Sequence, residues 1–162
     1  MMHYLVARKL GIRLAILVVL FDQLTKSWAM ASLGEGGRTV IEGYLKYYLA
    51  MNRGVSFSFL ANLPHDWLPI ALAIFAVGVS AFFVHVMAKG TALYHAGLGL
   101  IVGGAIGNMI DRLNYGGVID FISVHYGEWH FPTFNVADIA INIGVAFVLF
   151  DTLKHVVKKE SE

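Results

Sequence analysis

The chain has 162 residues, of which 57% are hydrophobic and only 14% charged, with a mean hydropathy of +0.66. A soluble domain runs nearer ~45–50% apolar and ~25% charged, so this is the composition of an all-α polytopic membrane protein, with a length suited to one domain. A net charge of +1 offers no basic field for nucleic acid, and the absence of cysteine excludes disulfides, iron–sulfur clusters, thiolate zinc sites and cysteine nucleophiles.

A membrane-spanning helix needs roughly 20 mostly apolar residues. Stretches 12–31, 67–87, 93–113 and 136–157 meet that need. Arg8, Lys9 and Arg13 precede the first in the manner of a signal-peptide n-region. The apolar run continues past Phe21 without a small-residue cleavage site, so it reads as a retained span. With both termini cytoplasmic, Arg8, Lys9, Arg13, Lys89, Lys154, Lys158 and Lys159 lie inside and Arg38, Lys46, Arg53 and Arg112 outside, which is the favoured bias. The connections 32–66 and 114–135 then face outward.

Within the first span, Asp22 and Lys26 are four apart on one helix face, with Gln23 beside them. A charge at mid-bilayer costs ~2.5–3.5 kcal/mol, so the pair needs a reason to be there. It serves either as an ion pair fixing helix packing or as an anchor for an outer-face site. In the first connection, Gly34-Glu35-Gly36-Gly37 reads as a turn and 39–50 as β-prone. Over 51–60, Val55, Phe57 and Phe59 alternate with Ser56 and Ser58, a strand pattern. A small sheet and a loop/helix cap on the outer (periplasmic) surface are expected. The sheet edge could pair with an extended peptide, or the sheet could be a packed cap without a ligand.

In the third span Gly99, Gly103 and Gly107 recur every four residues, the spacing that lets membrane helices approach closely. Asn108, Asp111 and Arg112 follow, Asn108 and Arg112 on one face. The fourth span opens with Asn135, Asp138 and Asn142, stacked on one face that must look into the bundle. Asp151 reads as an interfacial charge near its inner end. The second connection supplies Asp120, within Val-Ile-Asp-Phe-Ile.

These clusters converge at one depth, and the chemistry can be sorted by what is missing. There is no His-Glu-x-x-His, and His125 and His130 are five apart, so a metal hydrolase is disfavoured and no cofactor is expected. Ser27 points away from the adjoining Lys26, and Ser56 or Ser58 could reach that lysine only through tertiary folding. No Gly-rich loop followed by Lys-Ser/Thr is present for phosphate. A transporter using Asp22, Lys26 and Asp138 as ion sites would favour internal repeats, but spans one and two do not resemble three and four. An aspartate pair needs nothing more. Two carboxylates close together in a low-dielectric site share a proton, one activating water and the other polarising a carbonyl.

Asp22-Gln-Leu-Thr-Lys26, Asn52-Arg-Gly-Val-Ser-Phe57, Gly103-Gly-Ala-Ile-Gly-Asn-Met-Ile-Asp-Arg112, Val118-Ile-Asp-Phe121 and Phe134-Asn-Val-Ala-Asp138 together resemble, in order, the five sequence blocks of the lipoprotein signal peptidase (signal peptidase II) family. The resemblance implies a four-span aspartyl endopeptidase of bacterial cytoplasmic membranes, inhibited by globomycin. It would cut prolipoproteins just before a diacylglyceryl-modified cysteine. By position, Asp120 and Asp138 match the catalytic pair. Asp22, Lys26, Asn52, Asn108, Arg112 and Asn135 match the polar residues around it, and Gly54 and Gly104 the close-packing glycines. Ser56 stands where alanine is common in the family. Together these readings give a single membrane-embedded peptidase domain over 1–162, a monomer whose partners are prolipoproteins and membrane lipids. Its active site would lie near the periplasmic face of the inner membrane.

Overall fold

A computed structural model describes residues 2–53, 67–86 and 90–160. In chain order these form α1 (Met2–Ser32), β1 (Arg38–Ile41), β2 (Leu45–Asn52), α2 (Leu68–Val86), α3 (Ala92–Tyr115), β3 (Val118–Tyr126), β4 (Trp129–His130) and α4 (Val136–Glu160). Each of the helices contains a segment long and apolar enough to cross a membrane: Lys9–Ser32, Leu68–His85, Ala92–Tyr115 and Val136–Val157. The chain is a multi-pass membrane protein with the four spans expected. Large side chains such as Phe75, Phe82, Leu149 and Phe150 point outward, where lipid replaces water as solvent.

Helix α3 is the spine, packed by α1, α4 and α2. Between apolar helices in lipid, burial supplies little drive, and close backbone contact must do the work. Glycine makes that contact possible on two sides of α3. Toward α1, a methyl group at Gly103 would sit 2.7 Å from the Ala15 carbonyl oxygen, and one at Gly99 would strike the Gly11 carbonyl. Toward α4, a methyl at Gly97 would lie 2.8 Å from the Gly144 carbonyl, and one at Gly104 would strike the Ala137 carbonyl. The first row was expected from the four-residue repeat; in the second, Gly104 was expected from the family resemblance and Gly97 was not.

Thr91 caps α3 by accepting the Tyr94 N–H at 3.1 Å, and its hydroxyl lies 2.6 Å from an Asp151 oxygen on α4. Asp151, expected as an interfacial charge, is therefore buried and tied to a helix cap. At the other end Gly116 adopts a left-handed φ of 70°, and its N–H reaches the Arg112 carbonyl at 3.1 Å. That reversal lets β3 start with only Gly116 and Gly117 between it and the end of α3.

The sheet is antiparallel, in the order β1-β2-β3-β4. It sits at the helix ends marked by Ser32, Leu68, Tyr115 and Val136. Trp28 at the end of α1 meets Tyr47 and Phe121 edge-on, at ring-centre distances of 5.8 and 6.3 Å, beside the buried Ala29 and Leu33. This wedge seats the sheet on the bundle.

Two expectations need comment. Asp120 is not on a loop but on β3. Residues Val118–Phe121 are all buried, so the in-out alternation that signals a half-exposed strand is missing there. The strand expected over 51–60 is met only at Met51 and Asn52, the end of β2. Val55, Ser56, Phe57, Ser58 and Phe59 lie outside the described residues.

Candidate active site

The site is assembled on a buried cation. Lys26 and Asp22 are one turn apart on α1, with Nζ 2.8 Å from an Asp22 oxygen. The same Nζ lies 2.7 Å from Asp111 Oδ2 and 3.1 Å from Asn108 Oδ1, both on α3. Three acceptors match the three protons of an ammonium, which is what burial of a charge demands. Gln23 Nε2 strengthens the seam, donating to Asp111 at 2.9 Å and to the Gly107 carbonyl at 3.2 Å. The second Asp22 oxygen accepts the Ala137 N–H at 2.9 Å, satisfying a donor in the first turn of α4.

Two asparagines carry this order to the aspartates. Asn135 caps α4: its Oδ1 accepts the Asp138 N–H at 3.0 Å, and its own N–H donates to Asp138 Oδ2 at 3.2 Å. This is a capping box with an aspartate in the third helical position. Its Nδ2, thereby turned the other way, lies 2.6 Å from Asp120 Oδ1 and 3.1 Å from Asn108 Oδ1. Asn108 Nδ2 donates to Asp138 Oδ1 at 2.9 Å. On the sheet, Ala50 pairs with Asp120, which makes Asn52 its diagonal neighbour, and Asn52 Nδ2 reaches Asp120 Oδ2 at 3.1 Å.

Asp120 is buried and Asp138 half-buried. Burial, and then the charge of Asp138, push the Asp120 carboxyl up to about 7; the donors Asn52 and Asn135 and the Lys26 charge only partly oppose them. A carboxyl poised there can hold or release a proton near neutrality.

The structure thus brings together Asp22, Lys26, Asn52, Asn108, Asp120, Asn135 and Asp138. Arg112 lies alongside, its Nη1 3.4 Å from the Asn108 carbonyl, within the electrostatic reach of Asp138, Asp111 and Asp120. Gly104 presses on the carbonyl of Ala137, the residue before Asp138. Gly54 lies outside the described residues. Asn142, expected on the same face, bonds instead to the Asp138 carbonyl of its own helix at 2.8 Å. The residue that sequence reasoning named without giving it a place in the site is Asp111, fully buried and bonded to α1 and to β3. It falls three residues after Asn108, on the same side of α3, and that spacing could have flagged it. His125 and His130 stack across the β3–β4 hairpin at 5.5 Å. Among the described residues no cluster of His, Asp and Glu is set to hold a metal ion.

The family model described as Signal peptidase (SPase) II matches residues 14–154. The chain belongs to the signal peptidase II family. Membership makes it a membrane-embedded protease of lipoprotein signal peptides. It is 43% identical to a lipoprotein signal peptidase of Paraburkholderia phymatum over 88% of this chain and 86% of that one. It is 40% identical to one of Janthinobacterium sp. over 90% and 88%. Two solved structures share this fold, each described as a bacterial membrane enzyme determined by the in meso method. One, at 2.3 Å resolution, superposes with a TM-score of 0.82, 28% identity and coverage of 94% of this chain and 92% of that one. The other, at 1.9 Å, gives 0.76, 29%, 89% and 92%.

Proposed function

We propose that this signal peptidase II is an aspartic endopeptidase in which Asp120 and Asp138 act on one water. The observation that carries the reading is that Asn135 bonds directly to both carboxyl groups. A single residue at a helix cap, through its side-chain amide toward Asp120 and its backbone N–H toward Asp138, therefore supports the spacing of the pair. Asp120, raised to about 7, is assigned the shared proton in the resting enzyme.

Asp138 takes a proton from water as its oxygen attacks the scissile carbonyl carbon. Asp120 gives its proton to the carbonyl oxygen, so the tetrahedral intermediate is neutral. As the C–N bond breaks, Asp138 passes its proton to the leaving amine, and the carbonyl re-forms by returning one to Asp120. The products are a signal peptide with a new carboxyl end and a lipoprotein with a free amino-terminal cysteine.

The substrate is a prolipoprotein, cut on the N-terminal side of its diacylglyceryl-cysteine, and globomycin blocks the site. The Lys and Arg bias supports a topology with both termini in the cytoplasm and the sheet end at the outer face of the bacterial inner membrane. A signal peptide keeps its basic end inside, so its cleavage point emerges at that face. The whole chain works as one domain and as a monomer. The test is purified protein with a diacylated prolipoprotein, followed by gel shift. Asp120→Asn and Asp138→Asn should each abolish cleavage while still inserting as folded protein; full turnover by either removes the mechanism.

A further inference from the structure

Asp111 is a buried carboxylate that the proton transfers above do not use. Its Oδ1 accepts from Gln23 at 2.9 Å, and its Oδ2 lies 2.7 Å from Lys26 Nζ. The same Oδ2 accepts the backbone N–H of Ile119 at 3.1 Å. Ile119 immediately precedes Asp120, and its own carbonyl accepts from Asn135 Nδ2 at 3.3 Å. The peptide groups on either side of Ile119 are thus gripped, one by α3 and one by the cap of α4.

This grip falls at the second residue of β3, just past the turn that leaves α3. Between Tyr115 and Val118 the backbone reverses through Gly116, and nothing in a left-handed turn by itself fixes how far the strand stands from the helix. The bond from Ile119 to Asp111 closes that turn from inside. It ties β3 to the helix that carries Asn108, and so fixes the distance between Asp120 and the donor facing Asp138.

We propose that Asp111 is a positioning residue for the reaction. It acts as a hydrogen-bond acceptor that registers Asp120 against α3, and its charge toward Lys26 is secondary to that. The proposal rests on the aspartate-pair reading. Misplacing a reacting group by about 1 Å costs on the order of 100-fold in rate, and that is the scale of effect expected.

Asp111→Asn and Asp111→Leu separate acceptor from charge while keeping the branched shape of the side chain, leucine being the larger. Asparagine keeps an oxygen for Ile119 and loses the charge; leucine loses both. With a diacylated prolipoprotein in lipid nanodiscs, Asp111→Asn should keep kcat within about 5-fold of the parent. Asp111→Leu should lose about 100-fold in kcat with KM changed less than about 3-fold. Equal losses in both variants would mean that the charge matters and the acceptor does not, which overturns the proposal. So would parental kcat in Asp111→Leu. If the leucine variant does not fold, amide exchange at Ile119 decides: protection in the parent and in Asp111→Asn supports the clamp, and rapid exchange in the parent rejects it. Absence of cleavage by the parent would instead count against the peptidase reading itself.

Discussion

The Nζ of Lys26 lies 3.1 Å from Oδ1 of Asn108. An ammonium offers only protons, so the oxygen end of that amide must face it, and the nitrogen end must face Asp138, 2.9 Å away. A residue that bonds to neither aspartate of the pair therefore decides what kind of group meets Asp138. Lys26→Met should abolish turnover and lower the thermal midpoint sharply. Stranding Asp22 and Asp111 without their cation costs on the order of 3–5 kcal/mol. Adding Asp111→Asn to that variant should return part of the midpoint and none of the turnover, as read by thermal unfolding and cleavage on the same preparation.

Asp120 makes stability and activity depend on pH in a defined direction. Its carboxyl moves from 3.8 when unfolded to about 7 when folded. Between those values the native state binds the extra proton, so ΔG of unfolding falls as pH rises from about 4 to about 7. The thermal midpoint of the parent should fall across that window more steeply than that of Asp120→Asn. A matching slope in both would show that Asp120 titrates normally. Activity should decline above pH about 7 as the proton on Asp120 is lost.

Asn135 serves two masters, and substitutions can separate them. Asn135→Ser retains a capping oxygen and loses the amide donor to Asp120; Asn135→Ala loses both. Serine should hold stability within a few tenths of a kcal/mol and alanine should cost about 1 kcal/mol, while cleavage is lost in each. Retained cleavage by the serine variant would show that the 2.6 Å bond to Asp120 is dispensable.

Gly104→Ala should damage stability and rate together, because its methyl would strike the Ala137 carbonyl and push the start of α4, with Asp138, away from α3. Gly78→Ala on α2 is the matched control, since nothing lies within 4 Å of where its methyl would go. It should be neutral, or more stable by about 0.5–1 kcal/mol, with turnover unchanged.

The spans were legible because lipid demands length and apolarity, and both can be counted along a sequence. The Asp22–Lys26 pair was legible because helix spacing puts the two on one face. What binds to that pair was not: Asn108 and Asp111 come from α3, and only the packing of Gly103 and Gly107 against α1 places them within reach. Strand β3 was hidden because its first four residues are buried on both faces and so show no alternation. Asn142 misled for the opposite reason. It has the right spacing, but it stands on the exposed side of α4 and bonds to its own helix.

Among the described residues, no hydrogen bond or ion pair joins helix α2 to the network around the aspartates, and α2 packs chiefly against α3. The other three helices are riveted to one another by glycine seams and by Lys26, Asp22 and Asn135. The lipid-tethered substrate proposed above would have to arrive sideways, within the plane of the bilayer. The wall that can yield to it at least expense to the chemistry is α2, so tuning of access during the family's divergence should be written on that helix while the reacting centre stays untouched.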